Sequence, residues 1–262
     1  MSILRDDCFT YIPQAYDLKF ETIASFQRVV FDSILKCIGK GEEASSHVDF
    51  GRTSISEISP SSASFGSDSP LDVLLHGVLK LQRHVIFNEF DVAGGLSIAQ
   101  GETFSKESVG NPVLMMTTFY SSFALFAKIS SKSCSNLKKR KFFKIAKMKH
   151  GIIKGWVKRN NPNVVHSDIC LDAETALYHR KFQEAEALYQ QAITRAARGG
   201  FIQDAGLISE RYSRYLSEVC DPPQRKDALF HLDRAIDFYT SWGSTKKVSM
   251  LIEARKDLHS CT

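Results

Sequence analysis

Two stretches of this chain carry matching side chains at matching spacing, and that repetition restricts the fold more than any other feature. Placing AEALYQQAITRAARGG, residues 185 to 200, over ALFHLDRAIDFYTSWG, residues 228 to 243, sets Ala185 on Ala228, Tyr189 on Leu232, Ala192 on Ala235, Ile193 on Ile236 and Gly200 on Gly243, an offset of 43 residues. In both copies the small residue at i, the bulky one at i+4 and the small one at i+7 fall on one face of a helix. An alanine-rich inward face gives up apolar area that would otherwise stabilise the helix by burial. Its use is close approach: a neighbouring helix comes in over the alanines and the bulky residue fills the space between. Ala185, Tyr189, Ala192, Ala228, Leu232 and Ala235 are therefore the expected packing residues of a helical-hairpin repeat.

The rest of the chain reads as helix as well. Apolar residues at 18, 20, 23, 26, 29, 30, 34 and 38 keep a period near 3.6, so Cys8 to Cys37 is expected to form one helix, with Pro13 limiting its start and Gly39 ending it. Ala44 to Pro70 changes character, with ten serines in 27 residues, and is expected to be a flexible loop in which the Ser-Pro pairs at 59/60 and 69/70 are candidate phosphorylation sites. From Leu71 onward helix follows helix: Leu71 to Val85, Phe90 to Thr103, a segment opened by Asn111-Pro112, Asn136 to Lys158, Asp168 to Arg180, Phe182 to Arg198, Phe201 to Val219, Gln224 to Ser241, and a last helix from Thr245 that would cap the stack. No window alternates with period two between turn signals, so the expected fold is all-α, with antiparallel helical hairpins stacked in a row. Three segments result: an N-terminal helical segment (1–43), the Ser-rich loop (44–70) and a helical repeat domain (71–262).

Composition excludes several classes. The longest uncharged apolar-leaning run, Val113 to Ala127, falls short of the ~20 residues a bilayer-crossing helix needs. The opening MSILRDDCFTYIPQ has acidic residues at 6 and 7 and lacks the pattern of a secretory signal, which places the expected site of action in the cytosol or nucleus. Cysteines 8, 37, 134, 170, 220 and 261 are scattered without metal-ligand spacing, so free thiols are expected, with no metal and no cofactor.

Net charge is +5, but the charge is unevenly placed. Twelve Lys or Arg and no Asp or Glu occur between Ser108 and Ser167, leaving 22 basic against 29 acidic residues in the rest. The run SNLKKRKFFKIAKMKHGIIKGWVKR concentrates this charge, and Lys138, Lys139, Arg140, Lys141, Lys144 and Lys147 form a candidate surface for an anionic partner. Phe142, Phe143 and Trp156 stand at core-compatible spacing and are not read as stacking platforms for bases.

The run AETALYHRKFQEAEALYQQAI resembles a tetratricopeptide repeat, with Ala173, Phe182, Ala185, Tyr189 and Ala192 where that family keeps its small and aromatic residues. Asp172 and Ala176 depart from the family's first helix, and the 43-residue offset exceeds the repeat length of about 34. Over Leu71 to Glu253, the segments LHGVLKLQRHVIFNEFDVA, GGFIQDAGLISERYSRYL and YTSWGSTKKV are similar to the helical-repeat region of large signalling proteins that join a Ser/Thr-kinase-like domain and an AAA-type ATPase to a histidine kinase.

That resemblance implies a tetratricopeptide-like solenoid that presents partners in signal transduction. The chain has no GxxxxGK[ST] phosphate cradle, no glycine-rich kinase loop, no HRD or DFG and no phosphoacceptor histidine setting. His150 and His179 have no carboxylate or cysteine at i+3 or i+4 and His166 has only Cys170, at i+4, so surface or packing roles are favoured for all three. Asp168, Asp172 and Glu174 lie near a helix start, where they suit the helix dipole. The expectation is a non-enzymatic scaffold with no small-molecule substrate and no catalytic residue, binding protein segments of a signalling assembly. Two alternatives stand beside it: a basic helix that binds nucleic acid or an anionic membrane, and an inactive fragment of a multi-domain kinase.

Overall fold

The computed structural model describes residues 1–39, 70–99, 113–130, 134–219 and 223–260. They form α1 (Ser2–Asp17), α2 (Glu21–Ile38), α3 (Pro70–Ile86), α4 (Phe90–Ala99), α5 (Val113–Ile129), α6 (Asn136–Lys158), α7 (Val165–Tyr178), α8 (Phe182–Arg198), α9 (Ile202–Glu218), α10 (Arg225–Trp242) and α11 (Thr245–Ser260). A 3-10 turn, Pro162–Val164, leads into α7. Among the described residues there is no strand, so the all-α expectation is met. No helix there is long and apolar enough to cross a membrane. The Ser-rich loop from 44 to 69, with the 59/60 pair, and Asn111-Pro112, Cys220, Asp221-Pro222 and Cys261 lie outside the described residues.

Neighbours in sequence pack as neighbours in space: α1 on α2, α3 on α4, α5 on α6, α7 on α8, α9 on α10 and α10 on α11. Between these pairs, α3 and α4 pack on α5, α5 on α7, and α8 on α9. α2 packs on both α3 and α11, which brings the first hairpin against the last helix. The hydroxyls of Ser244 and Thr245 donate to the carbonyls of Cys37 at 3.1 Å and Ile38 at 2.9 Å, satisfying end groups of α2 that its own turns leave open.

The expected single helix over Cys8 to Cys37 is two helices. The chain reverses at Leu18-Lys19-Phe20, and Leu18, Phe20 and Ile23, which kept the apolar period, are more than half exposed. Periodicity ran on through a turn because three surface residues happened to be apolar. Pro13 sits inside α1 rather than at its start.

One turn geometry recurs. Lys19, Asn88, Asn160, Arg180, Gly200 and Gly243 all have φ between 59° and 85°. In each case the next residue's N–H reaches back to a carbonyl five positions earlier: Phe20 to Ala15, Glu89 to His84, Asn161 to Trp156, Lys181 to Ala176, Phe201 to Ala196 and Ser244 to Tyr239, at 2.8–3.1 Å. This closes the helix with a left-handed residue and aims the next one back along it. The residues before α2, α8 and α9 (Phe20, Lys181 and Phe201) make no side-chain cap, so the backbone turn, not a capping box, sets those starts.

The small stripe is fully inside. Ala185, Tyr189, Ala192, Ala228 and Ala235 have no exposed surface and Leu232 is 6% exposed. The Tyr189 ring lies on Tyr212 of α9 with centroids 5.2 Å apart and planes 19° from parallel. On the other side of α9, Gly206 admits the ring of Tyr239: a Cβ there would stand 3.2 Å from it.

His231 of α10 is buried against Tyr212, 4.3 Å between ring centroids, and its Nδ1 has no hydrogen-bond partner. Burial, with help from Arg234 and against Asp227, pulls its pKa down to about 4. Between the unfolded value of 6.5 and that folded value the unfolded chain holds the extra proton, so stability is intact above pH 6.5 and falls as pH drops towards 4. Allowing for solvent screening, the loss is about 2 kcal/mol. His231→Phe is expected to flatten this part of the stability profile, measured by urea unfolding across pH; an unchanged acid slope would show that other groups set it.

Candidate functional site

α9 is as enclosed as α5 although its sequence is polar: every residue from Asp204 to Leu216 except Arg214 is buried. Charged groups survive there because each has a partner on another helix. The Asp204 carboxylate accepts from the Tyr120 hydroxyl of α5 at 2.5 Å and from His166 Nε2 of α7 at 2.9 Å, and the Gln82 amide of α3 donates to Tyr120 at 2.8 Å. Burial, reinforced by the nearby Asp204 charge, pushes the Tyr120 phenol well above its ordinary value.

The Arg211 guanidinium donates to both oxygens of Glu174 on α7, at 2.7 and 2.9 Å, and to Ser130 at 2.7 Å, while the Tyr189 hydroxyl donates to Glu174 at 2.7 Å. Burial works against the Arg211 charge, but Glu174 outweighs it and raises its pKa. Glu210 accepts from Lys247 of α11 at 2.9 Å and from Asn88 at 2.5 Å. Lys247 has no exposed surface, and burial lowers its pKa despite the Glu210 charge.

These contacts correct the reading of the histidines and acids near 170. His166 is buried on Asp204, and His150 of α6 is buried with Nε2 2.7 Å from Asp168. Both carboxylates come from other helices, where spacing along one helix does not show them. Of these three histidines, His179 is the exposed one. Glu174 is not a dipole residue but the buried partner of Arg211, and Asp172 accepts from Lys154 at 2.8 Å. Asp168 does stand in the first turn of α7. Burial pushes its carboxyl up, but the bond from His150 and the charge of Lys154 outweigh this and hold it below the ordinary range.

His150, Asp168 and Asp172 bring ligand-type atoms within 4.8 Å of one another. The cation in this cluster is Lys154, within 3.7 Å of Asp168 and 2.8 Å of Asp172. His150 Nδ1 is buried without a partner, whereas a metal-binding imidazole ordinarily donates that nitrogen to an orienting group. The arrangement is that of an ion network clamping α6 to α7.

One concave feature among the described residues is a cleft of about 830 Å³ whose floor is the Glu174–Arg211 pair. The C-terminal ends of α5, α7 and α9 form its walls, with Arg211, Arg214, Tyr215 and Glu218 on one face of α9. Phe90, Phe126, Leu177, Phe182 and Val219 give it apolar surface. Five cations (Lys128, Lys139, Arg180, Arg211, Arg214) line it against three acids (Asp91, Glu174, Glu218). Lys128 is spent on Asp91 at 3.2 Å, and Arg214 makes only long contacts, 3.7 Å to Glu210 and 3.9 Å to Glu218. Among the described residues, Arg180 and Lys139 are within 4.0 Å of no carboxylate. The cleft thus offers positive charge beside apolar wall.

Of the sequence-derived anionic-partner residues, Lys139 borders this cleft, whereas Lys138, Arg140, Lys141 and Lys144 are exposed elsewhere on α6 and Lys147 is half-buried. Phe142 is buried and Phe143 stacks on Tyr178 at 3.8 Å between centroids, consistent with core positions. Sequence reasoning missed Arg180, Arg211 and Arg214. The available signal was the pair of charges at Glu210-Arg211 in the middle of a helix otherwise marked by core aromatics. Cys8, Cys37 and Cys170 are buried free thiols and Cys134 is a partly exposed one.

Comparison of the chain with protein-family models, with curated proteins and with solved structures finds no match.

Proposed function

We propose that this chain is a non-enzymatic interaction module, a tetratricopeptide-like stack of helical hairpins, that takes an extended protein segment in the cleft between α5, α7 and α9. The observation that carries this reading is the cleft's make-up: a concavity of about 830 Å³ with surplus cations set beside exposed apolar wall such as Phe182. A segment alternating acidic and apolar side chains matches both features, because its carboxylates meet Arg180, Arg214 and Lys139 while its apolar groups cover the wall. Repeat stacks build such surfaces because each hairpin contributes one strip. The resemblance to the helical-repeat region of ATPase-linked signalling kinases supports a scaffold role in signal transduction, in the cytosol or nucleus.

The test is selection from a random peptide display library on the wild-type chain. Peptides rich in Asp or Glu interleaved with Leu or Phe are expected, and Arg180→Glu/Arg214→Glu should weaken them by roughly tenfold or more, as expected for lost charge-assisted contacts. Selected peptides that bind the double variant equally well would move the binding site elsewhere, and turnover of ATP by the purified chain would overturn the non-enzymatic reading.

A further inference from the structure

α6 buries one face on α5 and α7 and presents the other outward. Phe142, Ala146, His150 and Ile153 mark the inner face. At about 100° per residue, Leu137, Lys141, Lys144, Met148, Ile152 and Arg159 fall on the opposite side, with Arg140, Lys147 and Lys158 along one flank and Lys138 on the other. Leu137 is 80% exposed, Met148 58% and Ile152 38%. The outer face is therefore a line of protruding apolar side chains bordered by cations over a helix ~34 Å long. Among the described residues, Lys154 is the only cation of α6 within 4.0 Å of a carboxylate.

A second observation points the same way. Lys138, Lys139, Arg140 and Lys141 crowd the start of α6, which has no acid in its first turn. A helix N-terminus carries positive partial charge, so this placement works against the stability of the helix. An anionic surface laid along α6 removes the conflict and neutralises the unpaired flanks.

We infer that the outer face of α6 lies on an anionic lipid bilayer, with Leu137, Met148 and Ile152 entering the headgroup boundary and the lysines and arginines at the phosphate level. A lipid surface is favoured over nucleic acid by the apolar line, since a phosphate backbone has no use for exposed leucine and methionine, and by the aromatics, which are turned inward rather than offered to bases. The site is separate from the cleft: of the α6 cations only Lys139 borders it.

The experiment is co-sedimentation of the full chain with vesicles of phosphatidylcholine alone and of equal parts phosphatidylcholine and phosphatidylserine. Binding is expected to the mixed vesicles only. Lys141→Glu/Lys144→Glu should reduce it at least ~10-fold, and Leu137→Ser/Met148→Ser, at exposed positions that leave the core intact, should reduce it several-fold. The cleft variant Arg180→Glu/Arg214→Glu should bind vesicles as the wild type does. Thermal unfolding of each variant confirms that it is folded. Absence of binding to mixed vesicles, equal binding to phosphatidylcholine alone, or a loss on charge reversal with none on apolar replacement overturns the assignment. So does displacement of the vesicles by a DNA duplex that the apolar variant binds undiminished.

Discussion

Arg211→Met lowers the unfolding free energy by about 3–5 kcal/mol, the cost of leaving a buried partner charge uncompensated. Arg211 is 8% exposed and Glu174 2%, and without the guanidinium the carboxylate keeps only the Tyr189 hydroxyl. Most of the cost lies in the stranded Glu174, not in the value of the pair. The double variant Arg211→Met/Glu174→Gln is therefore expected to recover most of the loss, because the amide still accepts from Tyr189 and carries no charge. Urea unfolding of the four proteins in a double-mutant cycle reads the coupling directly. A loss of under about 1 kcal/mol for Arg211→Met, the size of a surface pair, would mean that water in the cleft solvates Glu174. The same variant weakens any ligand held at the cleft floor, so peptide binding should be compared under conditions where the variant is fully folded.

Asp204→Ala costs on the order of 4 kcal/mol, since two buried donors lose their acceptor at once: the Tyr120 hydroxyl and His166 Nε2–H. Asp204→Asn is expected to cost roughly half, because one carbonyl oxygen remains. The effect is a coupled one. In a Tyr120→Phe background one donor is already gone, so Asp204→Ala should cost distinctly less than in the wild type, and equal costs in the two backgrounds would show that the bond contributes nothing to stability. Amide hydrogen exchange adds the spatial readout: protection should fall in α3, α5 and α7 as well as α9, since Gln82, Tyr120, His166 and Asp204 come one from each.

These two networks explain why the scaffold was legible in the sequence and the site was not. The alanine stripe of α8 and its counterpart on α10 state their own geometry, because the residues that must share a face lie i, i+4 and i+7 apart on one helix. The αL turns were partly legible. Gly199-Gly200 and Gly243 announce two of them, but Lys19, Asn88, Asn160 and Arg180 adopt the same conformation without a glycine to signal it. At Lys19 that silence merged α1 and α2 into one expected helix. The basic composition of α6 was visible too, yet which lysines face outward and which border the cleft depends on where α5 and α7 press against it.

The sequence alone determined what repeats along one helix: an all-α chain, the extent of most helices and the small faces at which they approach. Only the tertiary structure decided which buried charges meet. Glu174 with Arg211, Asp204 with His166, Glu210 with Lys247 and Asp168 with His150 are pairings between helices, at separations of 37, 38, 37 and 18 residues. The helical period fixes the direction of a side chain about its own axis, but it carries no information about the rotation and offset of the neighbouring helix, and that relative placement chooses the partner.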